Sequence, residues 1–98
     1  MTRKTSETTI RCLVSTGMFS TERGVSIHLP DGRNIEAFVD RRHVIVVKEP
    51  TPGRQVEGHL KVNVVERQKK TVIVDLPEPA ITVGPRLRIP TDFLEIRS

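Results

Sequence analysis

The fold class follows from one stretch, Val56-Glu57-Gly58-His59-Leu60-Lys61-Val62-Asn63-Val64-Val65, in which apolar and polar residues alternate. Successive side chains of a β-strand point to opposite faces of a sheet, so this period of two predicts one strand over residues 56–65. Its Val, Gly and Leu residues share one face, and we expect that face to be buried. The stretch therefore favours an all-β protein.

The same alternation recurs along the rest of the chain and predicts further short strands. It places apolar residues such as Ile10, Val25, Ile35 and Val72 on buried faces. The continuous apolar run Val44–Lys48 is typical of a strand that is buried on both faces. The predicted strands are 8–15, 25–29, 34–39, 44–48, 56–65, 71–76, 80–83 resuming at 86–89, and 95–96.

Proline and glycine mark the breaks between these strands. Pro30-Asp31-Gly32 has the composition of a tight turn, because proline fixes φ and glycine accepts a positive φ. Pro77-Glu78-Pro79 predicts a second turn, and the segment Glu49–Gly53 predicts a break between two halves of the chain. Asp40 and Thr91 are each candidates to cap a single helical turn.

The two halves, about 8–48 and 54–97, resemble each other. Val25–Asp31 aligns without a gap with Val72–Glu78, and a polar capping residue precedes a short turn in each half. The likeness predicts an internal duplication or a pseudo-two-fold arrangement, although β proteins also reuse these patterns independently. In either case the pattern predicts a small barrel or sandwich of seven to eight short antiparallel strands.

The tail Arg88–Ile96 resembles the end of SH3-like barrels, in which a strand ends at proline, a 3₁₀ turn follows and a last short strand closes the barrel. The resemblance covers these residues and, more loosely, residues 53–97. It implies a fold and no activity, because the chain has no Tyr and no Trp with which to bind proline-rich ligands. A duplicated barrel and an SH3-like barrel with an N-terminal extension both remain open.

Length and composition fit one intracellular domain. The 98 residues carry a net charge of +4, and we expect a single β-barrel domain over residues 8–97 after a disordered lead-in at 1–7. The single cysteine, Cys12, lies on an alternating apolar run and is expected to be buried. The start of the chain lacks the apolar segment of a signal peptide, and no run is long enough for a membrane helix. These features favour the cytoplasm and no membrane partner.

No motif in the chain predicts catalysis or a bound metal. His28 and His59 fall on polar strand faces and His43 falls in a turn, with no metal-ligand spacing between any two of them. There is no nucleophile elbow and no glycine-rich phosphate loop. We therefore expect a protein that is not an enzyme and needs no cofactor, and we hold a site built on Cys12 and the three histidines as the least favoured hypothesis.

Clustered basic residues support one alternative function. Arg41, Arg42, Lys69, Lys70, Arg86 and Arg88 lie in three local pairs, and residues two apart on a strand, such as Arg86 and Arg88, share a face. Such clusters can contact phosphates, and small barrels often bind RNA. Few aromatic side chains are present to stack on bases, which weakens this hypothesis.

Met18 and Phe19 are two large apolar residues in an otherwise polar loop. They could plug the open end of a barrel, or they could be an exposed anchor for a partner. The sequence therefore favours a non-catalytic interaction module that binds another protein or itself, with RNA binding as the alternative.

Overall fold

The computed structural model describes residues 7–80 and 84–97. Within them the chain is all-β, as the sequence predicts, and its helical turns are two short 3₁₀ segments, η1 and η2. The elements are β1 (Glu7–Thr16), β2 (Glu22–His28), β3 (Asn34–Asp40), η1 (Arg41–His43), β4 (Val44–Val46), β5 (Val56–Lys61), β6 (Asn63–Arg67), β7 (Thr71–Ala80), β8 (Gly84–Pro90), η2 (Thr91–Phe93) and β9 (Leu94–Arg97).

The strands form two antiparallel sheets, and no closed barrel results. The larger sheet has the order β3-β2-β1-β5-β4, with β9 also paired to β1, and the smaller has the order β6-β7-β8. The molecule measures 41 × 37 × 20 Å, and its shortest dimension fits two packed sheets with their side chains. No helix in the part of the chain described here is long and apolar enough to cross a bilayer.

One apolar core joins residues from both sheets. The predicted inward positions are buried in β1, β2, β3 and β7, and Cys12 is buried as expected. Ile10 and Leu60 have no exposed surface at all. The buried apolar set is Ile10, Cys12, Val14, Val25, Ile27, Leu29, Ile35, Ala37, Val39, Leu60, Val62, Val72, Val74, Leu76, Leu87 and Ile89.

The strand predicted over residues 56–65 is in fact two strands. Residues 56–61 pair in the larger sheet as β5, and residues 63–67 pair in the smaller sheet as β6. The chain leaves the first ladder at Val62, whose amide donates to the carbonyl of Thr8 at 3.0 Å. The alternation of side chains continues across this change of sheet. The pattern therefore predicted correctly which side chains face the core, but it could not show where one strand ends and the next begins.

Two further predictions about strands are wrong. Val44–Lys48 is not a doubly buried strand: only β4 pairs, it lies at an edge of the larger sheet, and Val47 is fully exposed. Pro77-Glu78-Pro79 is not a turn, because β7 continues through it to Ala80, with a register shift between Asp75 and Ala80. Proline has no N–H group to donate to a ladder, so a strand tolerates it where the register shifts and no such hydrogen bond is formed. The predicted strand at 80–83 lies largely outside the described residues, as does the lead-in at 1–6, whereas Glu7 belongs to β1.

The closing turns differ in their caps. Asp40 caps η1 as predicted, because its carboxylate accepts the amide of Arg42 at 3.0 Å. Thr91 does not cap η2: it lies inside the turn, the cap position is Pro90, and no side chain bonds the turn's amides there. The 3₁₀ turn before a last short strand is present, as the sequence predicts.

Strand pairing relates the two halves of the chain. Val44 pairs with Leu60 in the β4–β5 ladder, and Leu94 pairs with Ile10 in the β9–β1 ladder. Val44 and Leu94 are 50 residues apart in the chain, and so are Ile10 and Leu60. In the smaller sheet Val74 lies opposite Val64, as Val25 lies opposite Val14 in the larger sheet. Val72, which the gap-free alignment matches with Val25, lies opposite Arg67. The duplication itself stays a prediction.

Replacing Leu60 by Ala should lower the free energy of unfolding by about 3 kcal/mol, because a fully buried side chain between two ladders leaves a cavity. Urea denaturation followed by far-UV circular dichroism measures it. The matched control is Val65→Ala on exposed β6 surface, expected to change stability by less than about 1 kcal/mol. Equal losses in the two variants would contradict the assignment of the core.

Candidate functional site

A gap in the larger sheet creates a groove on its outer face. β2 and β9 both pair with the same edge of β1, but β2 pairs only from Leu13 onward and β9 only up to Ile10. Arg11 and Cys12 lie between these two ladders with no strand partner on that side. The space left where the two strands diverge opens a groove of about 420 Å³.

Polar side chains from four elements converge on this groove. Pairing places Arg11 opposite His59, and Leu13 opposite both Glu57 and Ser26, all on the outer face of the sheet. The apolar surface comes chiefly from Leu13 and Phe93. The lining residues are Arg11, Cys12, Leu13, Ser26, His28, Glu57, Gly58, His59, Phe93 and Glu95.

Hydrogen bonds fix the ring of His28. Its Nδ1 lies 2.7 Å from Oδ1 of Asn34, so Nδ1 donates the proton in the neutral ring and Nε2 is left as an acceptor. Nε2 faces the hydroxyl of Ser26 at 3.5 Å, which is long for an O–H···N bond. A stronger donor entering the groove could therefore replace that hydroxyl on Nε2.

The other end of the groove is held by contacts to η2 and β9. The guanidinium of Arg11 lies 5.4 Å from the ring centre of Phe93 and donates to the carbonyl of Asp92 at 3.1 Å. His59 Nδ1 lies 3.2 Å from Oε2 of Glu95, a distance that suits an ion pair. That buried nitrogen makes no hydrogen bond to any residue that the structure describes.

Cys12 contributes no reactive thiol to this groove. Its side chain is buried in the core, and burial raises the pKa of the thiol to about 12, since the thiolate would lose its hydration. A cysteine in such surroundings is chemically inert.

The structure separates the three histidines of the least favoured hypothesis. His28 and His59 share the groove, but His43 lies in a different cleft beside Arg42 and Phe19. No group of three or more His, Cys, Asp or Glu residues in the described ranges is arranged to hold a metal ion. His59 is partly buried, with 22% of its side chain exposed.

Met18 and Phe19 lie on the hairpin loop between β1 and β2, where 86% and 67% of their surfaces are exposed. They are exposed and do not plug an end of the molecule, and their role as an anchor for a partner stays a prediction. Phe19 borders a second cleft with Arg42 and His43.

The basic residues of the alternative hypothesis lie in three separate places. Arg41 and Arg42 form η1, whose first amide donates to the carbonyl of Thr21 beside the β1–β2 loop. Lys69 and Lys70 are in the β6–β7 hairpin, where the carbonyl of Lys70 accepts the amide of Thr91 at the other 3₁₀ turn.

Arg86 and Arg88 share the outer face of β8, as predicted from their spacing. Two nitrogens of Arg86 bond the carboxylate of Asp75, at 2.8 and 3.3 Å. That hydrogen-bonded pairing lowers the pKa of Asp75 and raises that of Arg86. The charge of Arg86 is thus compensated within its own sheet.

The chain matches no protein-family model, no curated protein and no solved structure. The likeness of its tail to SH3-like barrels stays a prediction.

Sequence reasoning did not identify the groove. Its residues occupy the polar faces of two predicted strands at a spacing of two, for example Ser26 with His28 and Glu57 with His59. That spacing shows that each pair shares a face. It cannot show that the two faces adjoin, because that depends on which strands pair with β1.

Cys12 should react with iodoacetamide at pH 8 about a thousandfold more slowly in the folded protein than in urea, because the raised pKa of its thiol leaves very little thiolate. Mass spectrometry of the quenched samples measures the rate. Rapid alkylation under native conditions would contradict the buried position. A denatured sample at the same pH serves as the control.

Proposed function

We propose that this chain is a non-catalytic interaction module that binds another protein through Met18 and Phe19. The observation that carries the proposal is the exposure of these two large apolar side chains, side by side, on a loop with a defined conformation. Large apolar side chains that fill a partner's pocket supply much of the affinity of protein interfaces.

The loop is held in shape by Glu22. Its carboxylate accepts the amide of Met18 at 2.8 Å, and its amide donates to the carbonyl of Phe19 at 3.0 Å. Gly17 permits this arrangement, because a Cβ at that position would lie 2.7 Å from the Glu22 side chain. A loop ordered before binding loses less conformational entropy when the partner docks, which favours affinity.

The surroundings of the loop indicate the partner's chemistry. Arg42 lies beside Phe19, its side chain 77% exposed, and Arg41 next to it is also exposed. Arg42 lies 4.0 Å from the carboxylate of Asp40, and Arg23 is paired with Glu49 at 3.1 Å. The carboxylates of Glu22 and Glu78 line the same cleft as Phe19, so the charges around the loop are mixed. We infer that the partner presents an apolar recess that takes Met18 and Phe19.

RNA binding is the alternative, and the geometry supports it less. Arg86 is paired with Asp75, the Arg41–Arg42 pair lies within η1, and Lys70 of the Lys69–Lys70 pair contacts η2. If RNA were the ligand, binding of a labelled single strand would weaken steeply with salt and would be lost in the double variant Arg86→Glu, Arg88→Glu. Under the protein-binding proposal, that variant leaves partner binding unchanged.

A cytoplasmic location accompanies the proposal. It rests on the single cysteine, which is buried and has no second cysteine in the chain to pair with, as suits a reducing compartment.

Replacing Met18 and Phe19 by Ser should reduce capture of the partner at least about tenfold, because the lost apolar contacts are central to the interface. The measurement is quantitative affinity capture from an extract, followed by titration of the purified partner. Phe38→Ser is the matched control, because Phe38 is also half-exposed but lies on the outer face of β3.

The proposal would be overturned if the partner bound the Met18→Ser, Phe19→Ser variant as tightly as the unaltered chain. It would also be overturned if Phe38→Ser caused the same loss, since the effect would then be general. Circular dichroism of both variants checks that the fold is kept. Both changed loop residues are exposed, so the fold should be kept.

A further inference from the structure

The groove between β2 and β9 has polar atoms that are mostly hydrogen-bond acceptors. Glu57 contributes a carboxylate with no hydrogen bond or ion pair to any described residue. His28 contributes Nε2, and Ser26, a residue with 8% of its surface exposed, contributes a hydroxyl oxygen. All three lie around Leu13, because Ser26 and Glu57 are its cross-strand partners on either side.

The donors of this region are largely engaged elsewhere. Arg11 is drawn toward η2, where it bonds the carbonyl of Asp92 and lies over Phe93. Nδ1 of His28 is committed to Asn34. The lining side chains hold two carboxylates and one guanidinium. Glu95 faces His59 at 3.2 Å, so Glu57 is the carboxylate of the groove that has no ion-pair partner among the described residues.

We infer that this groove binds an organic cation, a primary ammonium or a guanidinium group, whose alkyl stem packs on Leu13. An ammonium has three donors and no acceptor, which complements Glu57, His28 Nε2 and the Ser26 hydroxyl oxygen. A hydrogen bond between charged partners is stronger than the long contact that Ser26 now makes with His28. The volume of about 420 Å³ admits an alkylamine or one basic side chain.

Two sources can supply this chemistry, a free amine or the lysine or arginine side chain of a protein. The inference is independent of the Met18–Phe19 loop, because the two sites share no residue. The variant Met18→Ser, Phe19→Ser should therefore bind the cation like the unaltered chain. Failure of one proposal then leaves the other standing.

The test is a titration of the full ¹⁵N-labelled chain, followed by amide chemical shifts. The probes are n-butylammonium and the capped peptide Gly-Lys-Gly, with the same peptide acetylated on the lysine Nζ as the neutral control. We expect saturable shifts at Arg11, Ser26, His28 and Gly58 with the cationic probes and none with the acetylated one. Tighter binding of n-butylammonium indicates a free amine as the natural ligand, and tighter binding of the lysine peptide indicates a protein.

Glu57→Gln should weaken binding about tenfold, because it removes the charge and keeps the shape of the side chain. Glu36→Gln is the matched control, since Glu36 is exposed on neighbouring β3, opposite Ser26 but outside the groove. Both side chains lie at the surface, so neither change should affect folding. The inference is overturned if the groove amides do not shift saturably, if the acetylated peptide binds equally, or if Glu36→Gln weakens binding as much as Glu57→Gln.

Discussion

The antiparallel ladder between β1 and β5 is the contact on which the rest of the structure depends. It runs from Thr9 opposite Lys61 to Val14 opposite Val56, and it joins residues far apart in the chain. Ile10 and Leu60 face each other within it and are completely buried. Every other strand of the larger sheet is attached directly or indirectly to one of these two strands. Burial of apolar side chains on this ladder therefore stabilises both halves together.

The outer edge of β1 is shared between two neighbours, β2 and β9. The outer edge of β5 carries β4, and the chain then crosses at Val62 into the smaller sheet. A strand that changes neighbour along its length leaves a short unpaired interval between the two ladders. The groove at Arg11 and Cys12 is such an interval, so its existence follows from the topology.

The sequence predicted what depends on local periodicity and missed what depends on pairing. Alternation identified the buried faces, and the short carboxylate of Asp40 identified the η1 cap. The change of sheet at Val62 was invisible, because a strand keeps its alternation when its partner changes. The turn at Pro77 was predicted because proline has no N–H group to donate to a strand ladder. The register shift between Asp75 and Ala80 means that no ladder hydrogen bond is needed from Pro77. Thr91 was predicted to cap η2 because threonine is a common capping residue. It lies inside η2, and Pro90 occupies the cap position.

The two candidate sites differ in the same way: the sequence identified one of them, and the other depends on strand pairing. Composition alone identified Met18 and Phe19, because two large apolar residues are unusual in a polar loop, although their exposure required the structure. The groove required knowledge of which strands flank β1, since His28 and His59 come from different strands that do not pair with each other.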